Sequence, residues 1–302
     1  MIRALRIAVS GLIAAGTAPT AAQNATGLFI RAAAASVGLS LTTCATAPLT
    51  QSGGLASYEN LKPSNGVLTR TRQTVNREIV LAAKSVMIMP STTSEQARQS
   101  GLSDKQLRLV TNAVDRALCA ELSARLEVVT PDKPADLTVQ AVVTHVGKTD
   151  VAMAGASKVA GIGGAVATVT TGIPVPVPRI PVGMGGLSVE AQASTPQRQQ
   201  AAAMIWARGA DALTTRPRLS EEADAYALAT EFSGDFAKLL VTGADPLKNS
   251  VPALPTAQSI KETFGGKPKY SACEQFGTQP GLGGALGGAI GLPPDWTDSG
   301  SR

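Results

Sequence analysis

Side chains that commonly carry out chemistry in proteins are scarce in this chain of 302 residues. It contains one histidine, His145, and three cysteines, and no Cys-x-x-Cys pair occurs. A metal centre of the His and Cys type is therefore not expected, because such a centre needs three or four ligands at short spacings. No Gly-x-Ser-x-Gly turn is present, and a Ser-His-Asp site would depend on His145 alone. The sequence predicts a protein that is not an enzyme and binds neither a metal nor a cofactor.

Aromatic and charged residues are also few, at 3% and 16% of the chain. Hydrophobic residues reach 44%, so the chain can bury a core and wholesale disorder is excluded. The 30 glycines and 19 prolines indicate much loop around that core. The net charge of +5 includes three arginines in residues 1–43, and without them 24 basic residues face 22 acidic ones. This near balance gives no electrostatic basis for binding nucleic acid.

The first 43 residues contain no acid and look like two export signals in series. A basic start at Met1–Arg6 is followed by the apolar segment Ile7–Ala15 and by small residues that end at Ala22. This pattern is typical of a secretory signal peptide, and its apolar segment is too short to span a bilayer as a helix. The pattern then repeats, with Arg31 as the basic residue and Ala32–Leu41 as the apolar segment.

Cys44 is the predicted site of lipid attachment. The junction Leu-Thr-Thr-Cys resembles a bacterial lipobox, with a leucine three residues before the cysteine, although Thr43 stands where Gly, Ala or Ser is usual. Cleavage there makes residues 1–43 the signal peptide and residues 44–54, which are small and polar, a lipidated tether. The alternative is a conventional cut after Ala22, which leaves Cys44 as an ordinary thiol.

Cys119 and Cys273 are predicted to form a disulfide. If a lipid occupies Cys44, these two cysteines are the remaining pair, and export to an oxidising compartment permits them to join. The bond would close a loop of more than a hundred residues, worth roughly 4 kcal/mol in the chain-entropy model. Two free buried cysteines are the alternative.

The fold class predicted for residues 55–243 is α+β, with a small mixed or antiparallel sheet packed against two amphipathic helices. The first helix follows a capping box at Ser103 and Gln106, and the second is predicted to start at Ser220. Strands are expected in segments rich in β-branched residues or in alternating polar and apolar residues, namely Ser85–Met89, Ala135–Val146, Leu187–Ala193 and Arg198–Ala207.

Two segments depart from this regular pattern. Residues 151–186 hold only Lys158 and Arg179 as charges and end in alternating prolines, so they are predicted to form a long apolar insertion in extended conformation. That insertion either covers the core of the domain itself or faces a partner. Residues 244–302 are predicted to be an irregular tail rich in glycine and proline, with a short helix at Ala257–Phe264 and glycines four apart at Gly283, Gly287 and Gly291.

Several segments, in their order along the chain, resemble a bacterial family of lipoproteins known as domain of unknown function 3313 (DUF3313). The resemblance covers about Ser52 to Gly243 and depends on five segments, Ser57-Tyr58-x-x-Leu61-Lys62-Pro63, Val86-Met87-Ile88-Met89-Pro90, the leucine-spaced helix, Ala135–Val146 and Gly185–Ala191. It implies an envelope lipoprotein without an assigned activity, so it transfers no catalytic residue to this chain.

Three functions follow as hypotheses. The favoured one is a lipoprotein held to a membrane through Cys44, which binds or scaffolds an envelope protein through residues 151–186 without catalysis. The absence of acidic residues directly after Cys44 favours the periplasmic side of the outer membrane. The alternative is a soluble periplasmic carrier of a small ligand or lipid, with a pocket behind the 151–186 insertion. A periplasmic hydrolase is less favoured, although the 22 acids allow many carboxylate pairs.

Overall fold

The structure is a computed structural model that describes residues 47–171, 179–248 and 265–298. Cys44, the leader with both of its predicted cleavage sites, and the helix predicted at Ala257–Phe264 lie outside these ranges. Residues Thr42–Arg302 belong to one compact unit.

One mixed sheet of eight strands organises the described residues. The strands are β1 (Lys62–Asn65), β2 (Thr69–Val75), β3 (Ser85–Ile88), β4 (Thr92–Thr93), β5 (Glu127–Val129), β6 (Leu137–Gly147), β7 (Gly186–Ser194) and β8 (Gln200–Gly209). Their order across the sheet is β1-β2-β8-β7-β6-β3-β5, and β4 pairs with β6. Neighbouring strands in the series β1-β2-β8-β7-β6 pair antiparallel. In contrast, β3 pairs in parallel with both β5 and β6.

The helices of the described chain lie in order as α1 (Arg77–Ala82), α2 (Glu95–Arg98), α3 (Asp104–Leu122), α4 (Val151–Thr171), α5 (Ala223–Thr242), a 3-10 turn (Ser271–Phe276), α6 (Gly281–Ile290) and α7 (Pro294–Thr297). The long helices α3 and α5 pack against each other and against one face of the sheet. Trp206 of β8 meets Phe232 of α5 edge to face at 5.8 Å between ring centroids, inside this core. The α+β class with two packed helices is therefore confirmed.

The strand and first-helix predictions agree closely with the structure. The capping box at Ser103 is present, with its hydroxyl accepting from Gln106 N while the Gln106 side chain accepts from Ser103 N at 2.9 Å. The predicted start of the second helix is wrong, because α5 begins at Ala223 after Glu222 and not at Ser220. Residues 220–222 form a turn in which the Glu222 carboxylate accepts a hydrogen bond from the Gln106 side chain.

The prediction of an extended insertion over residues 151–186 is wrong for its first part, because Val151–Thr171 is the helix α4. The prolines that disfavour a helix begin only at Pro174, and the residues before them are rich in alanine, the best helix former. Asp150 starts the helix by accepting a hydrogen bond from Met153 N. Residues 172–178 lie outside the described part of the chain. No helix among the described residues is long and apolar enough to cross a membrane.

The predicted irregular tail also contains regular structure. The 3-10 turn, α6 and α7 occupy most of residues 271–297. The 3-10 turn and α7 pack against α3, and α6 packs against α7. The prediction missed these elements because ten residues of glycine, alanine, leucine and isoleucine make a poor isolated helix. Contacts with the rest of the protein, described below, stabilise it.

Candidate functional site

Residues 47–58, here called the N-terminal strap, lie across the face of the sheet that α3 and α5 leave uncovered. Glu190 of β7 is their main attachment point, and only 1% of it is exposed. Its carboxylate accepts hydrogen bonds from Ser52 N at 3.1 Å, Ser52 Oγ at 2.6 Å, Gly54 N at 3.3 Å and the Tyr58 hydroxyl at 2.9 Å. Burial and the bond to Glu190 raise the pKa of Tyr58 above its usual value. The buried carboxylate thus gathers both ends of a short loop.

Neighbouring polar residues of the same sheet face extend this attachment. Ser188 donates to the Pro48 carbonyl at 2.6 Å, and the Gln192 side chain accepts from Ala56 N at 2.7 Å. Gln200 of β8 donates to the Ser57 carbonyl at 3.2 Å. The strap therefore runs along β7, held by every second side chain of that strand.

The sequence of β7 explains why its polar side chains face the strap. Leu187, Val189, Ala191 and Ala193 alternate with Ser188, Glu190 and Gln192, and alternation places the two sets on opposite faces of a strand. The apolar set joins the core under α3 and α5. A small second cluster of Leu55, Ala203 and Ile205 adds apolar contacts between the strap and the sheet face that carries Glu190. The prediction of a free tether over residues 44–54 is therefore wrong from residue 47 onward.

The first residue of the strap lies at the edge of the sheet where β7 begins. Ala47 lies over Gly186, where an added side chain would meet the Ala47 Cβ at 3.2 Å, and its carbonyl accepts from Arg70 at 2.6 Å. Cys44 is three residues upstream, so it reaches at most about 11 Å from this point. Any group on Cys44 would therefore stay near this edge.

His145, the residue on which a hydrolytic site would depend, lies on the same sheet face as the strap. It pairs with Ser188 across β6 and β7, directly after an irregularity in the strand register. Burial lowers its pKa. The Ser188 hydroxyl is engaged by the Pro48 carbonyl, and among the described hydrogen bonds none joins it to the imidazole. Within residues 47–171, 179–248 and 265–298, the hydrogen bonds pair no nucleophile with His145.

Cys119 and Cys273 are joined by a disulfide, with Cα atoms 5.9 Å apart. Cys119 is in α3 and Cys273 in the 3-10 turn of the tail, and both are buried. Lys269 donates to the Ser123 carbonyl at 2.8 Å just beyond the end of α3. The disulfide and this hydrogen bond therefore fix the start of the described tail to the helical layer.

A buried ion pair fixes the other end of the tail. The Arg116 guanidinium of α3 contacts the Asp298 carboxylate, and both side chains are almost wholly buried. The Tyr226 hydroxyl of α5 donates to the same carboxylate at 2.9 Å. Burial and the nearby Asp298 charge raise the pKa of Tyr226. Asp298, four residues from the end of the chain, thus binds both long helices.

Two further cations bind the chain at the end of α6 and just beyond it. Lys158 of α4 donates to the Ala289 carbonyl at 2.6 Å, at the end of α6 where cations are favoured by the helix dipole. Arg218 donates to the Leu292 carbonyl at 2.7 Å and to the Thr297 hydroxyl at 2.9 Å. Its guanidinium also lies 5.6 Å from the centre of the Tyr226 ring.

Under the tail, α3, α5 and α6 enclose a cleft of about 300 Å³. Small residues of α3 and α6 line its walls, including Ala113, Ala117 and Gly284, and Arg218 and Tyr226 add polar atoms. The carrier hypothesis predicted a pocket behind residues 151–186, whereas this cleft is formed by the C-terminal tail. Among the residues that the structure describes, no group of three or more metal-ligating side chains occurs.

A second buried ion pair fixes the chain that resumes at Arg179, after α4. Arg179 donates to both oxygens of Asp224 at 2.5 and 3.0 Å, and both side chains are buried. Asp224 also accepts from Gly185 N at 2.7 Å. Residues 151–186 are thus attached at both ends, by the start of α4 and by Arg179.

The family model described as "Protein of unknown function (DUF3313)" matches residues 50–236. The chain belongs to this family. The resemblance inferred from the sequence is confirmed, and the match includes Glu190 and most of the strap but ends before the C-terminal tail. For DUF3313, the Glu190 attachment is therefore inside the shared region, whereas Asp298, Cys273 and α6 are outside it.

Among solved structures, two PelC dodecamers from Paraburkholderia phytofirmans are similar to this chain, one of them a single-residue variant. Each is 10% identical, covers 58% of this chain and 98% of the PelC chain, and has a TM-score of 0.32. No curated protein matches the chain in sequence.

Proposed function

We propose that this DUF3313 protein is an exported lipoprotein of the bacterial envelope that binds or scaffolds an envelope protein without catalysis. Its anchor is a lipid on Cys44, and its position is the periplasmic side of the outer membrane. The observation that carries the proposal is the N-terminal strap. Residues 47–58 hold the chain downstream of Cys44 against the sheet through Glu190, so a lipid on Cys44 would attach at a fixed edge of the domain.

The disulfide supports export. A buried disulfide between Cys119 and Cys273 belongs to an oxidising compartment, since cytosolic thiols are kept reduced. It also leaves Cys44 as the unpaired cysteine of the three. The leader with its two basic and apolar segments supplies the export signal.

Mass spectrometry of the mature N-terminus tests the anchor. The wild-type protein should begin at Cys44 with two or three acyl chains, and Cys44→Ala should lose them. A mature protein that starts at Gln23 without a lipid would overturn the lipoprotein proposal and favour the soluble carrier.

Partner binding is tested by replacing residues 162–178 with a short Gly-Ser linker. This replacement spares Arg179, whose removal would leave Asp224 as an unpaired buried charge and destabilise the fold. The variant should keep its melting temperature but lose an envelope protein that crosslinks to the wild type. Retention of that crosslink would remove residues 162–178 from the interface.

The cleft under the tail favours a second candidate, a carrier of a small ligand or lipid. A cleft of about 300 Å³ is at the lower end of ligand-binding sites. Solvent extraction of protein purified from the envelope, followed by mass spectrometry, should then yield one lipid per protein chain. Ala120→Leu, which enlarges a partly exposed side chain of α3 that lines the cleft, should abolish this yield.

A further inference from the structure

Helix α6 presents its large apolar side chains to solvent. Leu282, Leu286 and Ile290 are 57%, 66% and 68% exposed. They follow at intervals of four residues, which places them within an arc of about 80° on one side of the helix. The opposite side, which packs on the protein, consists of glycines such as Gly281 and Gly287. The helix therefore turns its glycines inward and its leucines outward, the reverse of an ordinary surface helix.

Two further exposed apolar residues belong to elements that contact α6. Trp296, which is 71% exposed, belongs to α7, and α7 packs against α6. Val159 of α4 is 72% exposed and directly follows Lys158, which binds the end of α6. We call Leu282, Leu286, Ile290, Trp296 and Val159 together the α6 face.

Cations accompany the α6 face at its Ile290 end. Lys158 and Arg218 bind the backbone there. Burial lowers the pKa of Lys158, and the nearby positive charges of Arg216 and Arg218 lower it further. Arg216 is exposed and has no hydrogen bond or ion pair within the described ranges. The two nearby acids are paired, Asp295 with Lys105 at 3.2 Å and Glu231 with Arg208 at 3.1 Å. The charge next to the α6 face is therefore positive.

We propose that the α6 face binds the surface of an anionic lipid bilayer. An exposed stripe of leucine and isoleucine beside a tryptophan and cations is the composition of interfacial membrane helices. The charge complements acidic headgroups, which attract basic residues close to the surface. A second protein copy fits less well, because five side chains fall far short of the 20 to 30 residues that a specific interface uses on each side.

The route of the chain agrees with this orientation. Ala47 lies over Gly186, and Gly186 is at the edge of the sheet from which α4 begins. Lys158 then connects α4 to α6. The edge of the sheet near Cys44 and the α6 face are thus connected through α4. The membrane-surface proposal takes its setting from the proposed lipoprotein function, but it concerns residues that bind lipid whether or not Cys44 is acylated.

Vesicle sedimentation with the full chain carrying Cys44→Ala tests the α6 face in the absence of an acyl chain. This protein should sediment with vesicles of phosphatidylglycerol and phosphatidylethanolamine. The triple variant Leu282→Gln, Leu286→Gln and Ile290→Gln should bind at least about tenfold more weakly, since burial of even one leucine changes affinity by that factor. Glutamine keeps the helix propensity of leucine, so the fold should be preserved.

Two variants sharpen the test. Arg216→Gln should weaken binding about fivefold on anionic vesicles and leave binding to phosphatidylcholine vesicles unchanged. Val67→Gln, at a fully exposed apolar residue between β1 and β2, is the matched control and should bind as the parent does.

The proposal is overturned if the Cys44→Ala protein does not sediment with anionic vesicles, or if the triple variant sediments equally well. It is also overturned if the triple variant converts a dimer to a monomer in light scattering, because the face is then a contact between copies. The mature N-terminus measured by mass spectrometry is independent of these results, so failure of lipidation and failure of the α6 face are told apart.

Discussion

Glu190→Gln should release the N-terminal strap while leaving the rest of the fold in place. The substitution keeps the size of the side chain and removes one acceptor. One carboxylate oxygen faces Ser52 N and the other faces Gly54 N. Whichever way the amide turns, its NH2 group must therefore face a backbone N–H that it cannot satisfy. The hydroxyls of Ser52 and Tyr58 can rotate to accept from it, so they do not remove this conflict.

The expected cost follows from the number and type of bonds. Hydrogen bonds to a charged group contribute about 1.5 to 3 kcal/mol each, and an unsatisfied buried donor costs about 1 to 3 kcal/mol. Losing one N–H bond and the charge on the others therefore destabilises the closed strap by about 3 kcal/mol. That energy raises the open population by on the order of 100-fold. Glutamine also avoids burying a charge, so the global free energy of unfolding should change less than the local one.

Hydrogen exchange resolves the local effect. The amides of Ser52 and Gly54 should exchange on the order of 100 times faster in Glu190→Gln, whereas amides in β7 should be little changed. Tyr58→Phe, which removes one hydroxyl, should accelerate the same amides by about tenfold. Glu59→Gln, at an exposed carboxylate in the adjoining turn, is the control and should have no effect. Exchange of Ser52 and Gly54 within threefold of wild type would refute the role given to Glu190.

Three further perturbations test the tail and the core. Replacing both Cys119 and Cys273 by serine should lower the free energy of unfolding in urea by roughly 5 kcal/mol for a separation of 154 residues, and dithiothreitol should no longer affect the double variant. Asp298→Asn should cost about 3 to 5 kcal/mol and expose the tail to protease, because Arg116 is left as a buried unpaired charge, whereas Asp295→Asn should cost under about 1 kcal/mol. Burial raises the pKa of Asp115 to about 6 against the hydrogen bonds from Ser91, so the folded state binds the extra proton between about pH 4 and 6. The free energy of unfolding should fall by up to about 3 kcal/mol as pH rises through that window. In urea unfolding measured at several pH values, Asp115→Asn should not show this decrease.

Elements with a strong local signal could be predicted from the sequence. The capping box at Ser103 and the alternation in β7 each specify their structure within a few residues, and both appear where expected. The prediction misses α4 because it extends to the whole segment a conformation that only the prolines from Pro174 onward impose. Prolines end a helix locally, and the alanine-rich residues before them are free to form one.

The attachments of the strap and the tail could not be predicted, because they depend on contacts between residues far apart in the sequence. Glu190 binds residues 132 to 138 positions away, and Arg116 meets Asp298 at a separation of 182. One signal was available in β7, where Glu190 occupies the middle of a strand flanked by small apolar residues. A carboxylate at the centre of a sheet needs partners that cover it, and the sequence alone does not say which segment provides them.

Both ends of the described chain are thus tied to the domain, and this changes what a lipid on Cys44 would do. A free tether over residues 44–54 would let the domain move tens of ångströms from the bilayer, as flexible linkers do. With the strap closed, the free chain between Cys44 and Ala47 spans at most about 11 Å. A lipid on Cys44 would then hold the domain close to the bilayer, where the α6 face is proposed to bind the headgroups. The two proposals together make a prediction: in the acylated protein, Glu190→Gln should lengthen the tether and weaken the protection of Leu286 from solvent-borne probes.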